Sequence, residues 1–273
     1  MVGTQDWISV GALGEAFKPG ANVLPWASSL LGTSHTLFLQ DGSLLDLRFM
    51  APGTLNWRSR SSPEALPEGG ARATACIAAE IRPGIFFVDF VDARQRAATL
   101  SVVLDLPRRA CTTVLGALPK AEEVSQPMLQ RIAQGKDLTS VGATFLRGSI
   151  DEPFSATNAH PDTTDLVGKR VEYTYSPTER YEHVYLNEKL YTWHCLDGSE
   201  RGLADTDRCH AIRIAPLLYL FVWREKLVPT LGVVLLDLEQ MKTTGKILGY
   251  RAFDCGEITN FPVGARARVV SST

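Results

Sequence analysis

Clusters of lysine and arginine are missing from this chain. Its 28 basic and 30 acidic side chains give a formal charge of -2, and neither sign gathers into a patch that would neutralise phosphates or dock on anionic lipid. Nucleic acid and membrane surfaces are therefore set aside as partners. The five cysteines, Cys76, Cys111, Cys195, Cys209 and Cys255, include no C-x-x-C pair, which argues against a disulfide framework and a thiolate zinc site. Apolar runs are short: the longest, "IAPLLYLFVW", falls far below the roughly 20 residues that span a bilayer. The opening "MVGTQDWISVGALGEAFKPG" lacks a basic segment ahead of a long apolar core, so the expected setting is reduced and cytoplasmic.

Motifs for bound groups are absent too. There is no G-x-x-x-x-G-K-[ST] loop, no dinucleotide fingerprint, no cysteine cluster for iron and sulfur, and no H-E-x-x-H or H-x-H spacing. The expectation is a protein with no cofactor and no metal site. No G-x-S-x-G elbow supplies a nucleophile, and Cys195 beside His194 is not one, because neighbours on a strand point to opposite faces.

What the chain does have is an internal repeat. "LLGTSHTLFLQDG" matches "LVGKRVEYTYSPT", pairing Gly32 with Gly168, and Trp57 pairs with Trp193 at the same offset. "TLSVVLDLPRRACTTVLG" matches "LGVVLLDLEQMKTTGKILG", with Asp105 opposite Asp237 at an offset four residues shorter. Two related domains are expected, at 1–118 and 138–273. Between them, 119–137 reads as a polar linker with one short helix: Met128, Leu129, Ile132 and Ala133 recur at helical spacing after Pro127, and Gly135 is placed to stop the turn.

Within each copy the apolar runs are short and rich in β-branched and aromatic residues, as in "IFFVDFV", "HVYL" and "LLYLFVW". They are punctuated by "QDG", "RPG", "SPT" and "LDG". Such spacing predicts a mainly β protein whose antiparallel sheets curl into small barrels, and barrels of about eight strands can hold one small ligand.

Alternation sorts the side chains of the second copy by face. Tyr181, His183 and Tyr185 share one face, as do Tyr191, Trp193 and Cys195, and as do Tyr219, Phe221, Trp223 and Glu225. If all three sets point inward, they wall a lumen with aromatics around one histidine and one carboxylate. In the first copy Leu37 and Leu39 stand where Tyr173 and Tyr175 stand in the second, so the site is expected in the second domain only.

The residues assigned to catalysis are His183, Glu225, Tyr185 and Tyr175. Those assigned to substrate contact are Tyr173, Tyr181, Trp193, Arg201, Tyr219 and Trp223. The carboxylate of Glu225 is expected to raise the proton affinity of His183, making the two a proton-transfer pair near neutral pH, while tyrosine hydroxyls stabilise developing charge. The loop "RGLADTD" admits two readings. Arg201, Asp205 and Asp207 clamp a substrate carboxylate or a divalent cation, or the aspartates simply hold a turn with Arg201 paired to one of them. The aromatic cluster has a second reading as well, a satisfied barrel core with no chemistry.

The blocks "YEHVYLN", "RGLADTD", "LYLFVWRE" and "TTGKILGY", together with the start "LLG" and the strand "FFVDF" of the first half, resemble the MoaF family, which is named for molybdenum cofactor biosynthesis. That resemblance implies two lipocalin-like, calycin-type barrels in tandem. The function expected is a cofactor-independent lyase, isomerase or cyclase acting on a small, largely apolar or aromatic molecule, in a chain compatible with a homodimer. A carrier of a hydrophobic metabolite and an accessory protein of molybdenum cofactor biosynthesis are the alternatives.

Overall fold

A computed structural model describes residues 7–60, 72–92 and 98–272. Eight strands, β1 (Ser34–Leu39), β2 (Leu44–Ala51), β3 (Thr54–Arg60), β4 (Arg72–Arg82), β5 (Ile85–Val91), β6 (Ala98–Asp105), β7 (Ala110–Ala117) and β8 (Gly142–Ile150), close into one antiparallel barrel. The seam is β1 against β8, with Leu37 opposite Ile150. The tight reversals into β2 and β5 use Gly42 and Gly84, both at positive φ, a conformation that costs glycine nothing. Inward alternation then fills this barrel with aliphatic side chains, among them Leu37, Leu39, Leu45, Leu47 and Leu55.

The second barrel is built from β9 (Lys169–Thr174), β10 (Arg180–Tyr185), β11 (Leu190–Asp197), β12 (Ala204–Ala215), β13 (Leu218–Glu225), β14 (Thr230–Asp237), β15 (Lys242–Tyr250) and β17 (Arg266–Ser272), with β16 (Ile258–Val263) added outside β15. Its ring closes where β14 pairs with β15 and where Lys242 of β15 meets Arg266 of β17. This is the mainly β, twin-barrel architecture that the strand spacing predicts. Its two halves correspond point by point. Gly32 and Gly168 both adopt positive φ just ahead of the first strand of their barrel. Trp57 and Trp193 are buried on the third strand, and Asp105 and Asp237 end the sixth. Both aspartates then accept backbone N–H bonds from the turn that follows.

The helical pieces are few. The predicted linker helix is present as α3 (Met128–Ala133), preceded by Pro127 and followed by Gly135 at positive φ; α2 (Ala121–Val124) stands before it. A helix that the sequence reading did not include, α1 (Val10–Phe17), begins at Ser9, whose hydroxyl accepts the Ala12 N–H at 3.3 Å. No helix among the described residues is long and apolar enough to cross a membrane.

The compact units interleave along the chain, where the sequence reading drew them end to end at 1–118 and 138–273. One unit holds 24–116 and 143–161; the other holds 1–23, 117–142 and 162–273. The physical reason is pairing. β8 follows the linker yet supplies the eighth strand of the first barrel, whereas α1 precedes that barrel and packs on β15 and β16 of the second.

Candidate functional site

Sheet register assembles the interior of the second barrel. Tyr181 lies opposite Cys195, His183 opposite Trp193 and Tyr185 opposite Tyr191, while β9 places Tyr173 opposite Tyr181. The three alternating sets therefore converge on one interior. His183 sits in an aromatic cage, its ring centre 4.7 Å from that of Tyr173, 5.0 Å from Tyr191 and 5.9 Å from Trp223. Trp223 needs room from β14, and Gly232 directly opposite provides it. A Cβ at that glycine would lie 2.1 Å from the indole, so any larger residue displaces the ring.

The upper end of this interior is covered by α1 and the residues before it. Trp7 meets Trp193 edge-on at 5.7 Å, and Phe17 stacks on Tyr175 at 4.7 Å. Gly249 of β15 lets the helix approach, since a Cβ there would stand 2.3 Å from Val10. Beneath this cover lies a cavity of about 40 Å³, room for about three waters or one small organic group.

Four polar groups face that cavity. His183 Nδ1 and the Tyr191 hydroxyl are buried with no hydrogen-bond partner among the described residues. Glu200 accepts the Tyr181 hydroxyl hydrogen at 3.1 Å, and Glu225 Oε1 accepts the Trp223 indole N–H at 2.8 Å. Burial sets their charge states. It depresses the His183 imidazole to a pKa of about 3, so the ring is neutral. It lifts Glu200 to about 7, with the Tyr181 hydrogen bond opposing and the neighbouring Glu179 carboxylate adding to the rise. Glu225 is held well above the ordinary carboxyl range, by burial first and then by the charges of Asp207 and Glu200. None of the lining residues is lysine or arginine.

Other residues assigned from the sequence lie elsewhere. Tyr173 and Tyr185 spend their hydroxyls on each other, 2.7 Å apart, and do not line the cavity. Tyr219 is buried in the same core but off the cavity, with its hydroxyl toward Asp165. Arg201 is exposed on the turn between β11 and β12 and lines nothing. Asp205 and Asp207 are bound by Lys226, whose Nζ also donates to the Thr206 carbonyl at 2.7 Å; Asp207 further accepts the Trp193 indole N–H at 3.1 Å. Both aspartates stand on β12 rather than in a turn, and their ion-pair partner is Lys226 rather than Arg201. The expected strengthening of His183 by Glu225 also gives way: no hydrogen bond joins them, and burial weakens the imidazole as a base.

Tyr175, Tyr181, Trp193 and Trp223 do line the cavity alongside His183 and Glu225. The sequence reading passed over Glu200, Trp7 and Phe17. The signal available for Glu200 was its place in "LDGSERG", two residues past a glycine turn that bends it back over the strand ends. Among the described residues, no group of three or more His, Cys, Asp or Glu side chains is arranged to hold a metal ion.

Comparison with known proteins covers both halves. Residues 5–120 match the MoaF N-terminal domain and residues 160–273 the MoaF C-terminal domain. Protein MoaF of Klebsiella aerogenes is 44% identical over 271 residues, spanning 98% of this chain and 96% of that one. A crystal structure from Burkholderia vietnamiensis aligns over 39% of this chain and 96% of its own at 16% identity with a TM-score of 0.34, too low to carry an argument.

Proposed function

The chain belongs to the MoaF family, and from that footing we propose that its C-terminal barrel takes up one small organic molecule and moves a proton on it without a resident cofactor. One observation carries this reading: two buried, unpartnered polar atoms, His183 Nδ1 and the Tyr191 hydroxyl, share a cavity with a carboxyl that titrates near neutrality. Leaving a buried polar group unpaired costs about 1–3 kcal/mol, an expense a protein avoids unless something else fills the position.

The division of labour follows from the charge states. Glu200, at about 7, gives and takes the proton. His183 stays neutral and holds the substrate through a hydrogen bond at Nδ1 rather than acting as the base, and Glu225 stays un-ionised until a partner charge reaches it. Each well-aimed donor in a dry site contributes about 3–4 kcal/mol to lowering a barrier. The cover formed by Trp7 and α1 narrows the access of water while this happens. Isomerase, lyase or cyclase chemistry suits such a set, since each needs only a proton placed and removed.

The alternative of a carrier is favoured by the largely apolar and aromatic lining. An accessory role in molybdenum cofactor biosynthesis is compatible with the family, and it would be exercised away from this cavity, where a phosphorylated pterin would meet carboxyls. Mass spectrometry of small molecules released from natively purified protein will name the occupant. Returned to the protein in D2O, that molecule should gain deuterium with wild type and not with Glu200→Gln. Recovery of unlabelled molecule from both would favour the carrier.

A further inference from the structure

The charge inventory of the cavity is lopsided. Glu200 and Glu225 line it, Asp207 stands behind the Trp193 indole, and among the described residues no lysine or arginine lines it. Lys226, beside them in the chain, is held by Asp205, Asp207 and the Thr206 carbonyl instead. An anionic ligand entering here would lose its hydration and find no counter-charge. A neutral hydrocarbon would leave His183 Nδ1 and the Tyr191 hydroxyl as unpaired as they are now.

A small organic cation meets every demand. Aromatic faces attract a cation placed within about 6 Å of their centres, more strongly when water is excluded, and indole is the strongest of them. Trp193, Trp223, Tyr175 and Tyr191 line the cavity. A neutral imidazole offers one acceptor nitrogen and a phenol oxygen offers another, so N–H groups of the ligand would satisfy the two orphaned atoms. The carboxyls that burial now keeps from ionising would gain the partner they lack.

We infer that the occupant of this cavity is a small organic base bound as its ammonium or iminium cation, caged by the aromatic rings, paired with Glu200 and Glu225, and hydrogen-bonded to His183 Nδ1 and the Tyr191 hydroxyl. The inference rests on the cavity being the functional site, as proposed above, and narrows its substrate class.

Three probes of nearly one shape test it: tert-butylammonium, tert-butanol and pivalate, titrated into the full chain and followed by tryptophan fluorescence and by heat of binding. The cation should bind at least tenfold more tightly than the alcohol, the alcohol should displace it competitively, and pivalate should bind more weakly than either. Replacing both carboxyls, Glu200→Gln with Glu225→Gln, should bring the cation to within threefold of the alcohol. If that doubly substituted chain fails to fold by circular dichroism, the wild-type ranking and competition decide. Equal binding of cation and alcohol, tighter binding of pivalate, or a cation preference that survives both substitutions would overturn the inference and leave the proton chemistry of the cavity standing. Failure of all three probes to bind would remove both.

Discussion

Tyr181 donates its phenolic hydrogen to Glu200 Oε2 across 3.1 Å, tying a strand residue of the second barrel to a carboxyl on the turn after β11. That bond favours the ionised carboxyl and holds Glu200 lower than burial alone would. In Tyr181→Phe the Glu200 pKa should rise above about 7 by about one unit, because a hydrogen bond to a charged group is worth roughly 1.5–3 kcal/mol and one unit about 1.4. Carbon-13 NMR of the labelled carboxyl against pH reads the shift. An unchanged midpoint would show that the hydroxyl does not tune it.

Stability should depend on pH through the same group. Glu200 is raised from an ordinary 4.5 to about 7, so the folded state holds its proton more tightly than the unfolded chain does. Its stabilising effect is complete below 4.5 and is lost as pH climbs to about 7. Glu200→Gln, which cannot ionise, should therefore match wild type at pH 4 once the change in hydrogen bonding is subtracted, and gain on the order of 2 kcal/mol on it by pH 8. Urea unfolding at a series of pH values measures the divergence.

His183 works in the opposite direction. Its pKa falls from 6.5 to about 3 on burial, so acid charges the unfolded chain first and stability drains away as pH falls from 6.5 toward 3. His183→Gln should flatten that acid limb by several kcal/mol. A wild-type slope that persists in the variant would place the acid sensitivity on other groups.

The contact between Gly232 and Trp223 is tight enough to predict a local defect. Gly232→Ala puts a methyl where the indole lies, so Trp223 must rotate and its N–H must leave Glu225. Overpacking of this kind costs about 1–3 kcal/mol. Chemical denaturation should show that loss together with a shifted tryptophan emission; unaltered emission would mean that the strand moved instead.

Removing the cover is a further test. Trp7→Ala takes away the edge contact with Trp193 and opens the end of the barrel. Acrylamide should then quench the tryptophan fluorescence more efficiently, with little change in unfolding midpoint. Equal quenching would mean that α1 alone seals the cavity.

Much of the second barrel was legible because its strands announce their own faces. In "YEHVY" and "LYLFVWRE" every second residue is aromatic or ionisable, and alternation alone places Tyr181, His183, Trp223 and Glu225 on one side. Alternation says nothing about a turn. Glu200 and Arg201 are adjacent, yet one is buried over the cavity and the other faces solvent, a choice made by the path the chain takes after Gly198 at φ 131. Alternation also sorts faces without ranking depth, and so Tyr173 and Tyr219 shared the correct face while lying off the cavity.

The first helix stayed hidden for a different reason. Gly11 and Gly14 lower the helical propensity of "VGALGEAF". They are there because a Cβ at either would press on Arg251 or Phe261, so they serve the docking and disguise the helix. Nor does any local pattern tell the strand "GATFLRGSI" to complete the barrel that precedes the linker; its partners β1 and β7, both ahead of the linker, decide that.

The interleaved course of the chain has an effect during synthesis. The helix that covers the cavity leaves the ribosome ahead of every strand of both barrels, and its seat on β15 and β16 is made only after β1 to β14. The lid must wait through the manufacture of an entire barrel before it has anything to close. A gene split at the linker would hand one fragment a cylinder with an unstitched side and the other a vessel with no stopper.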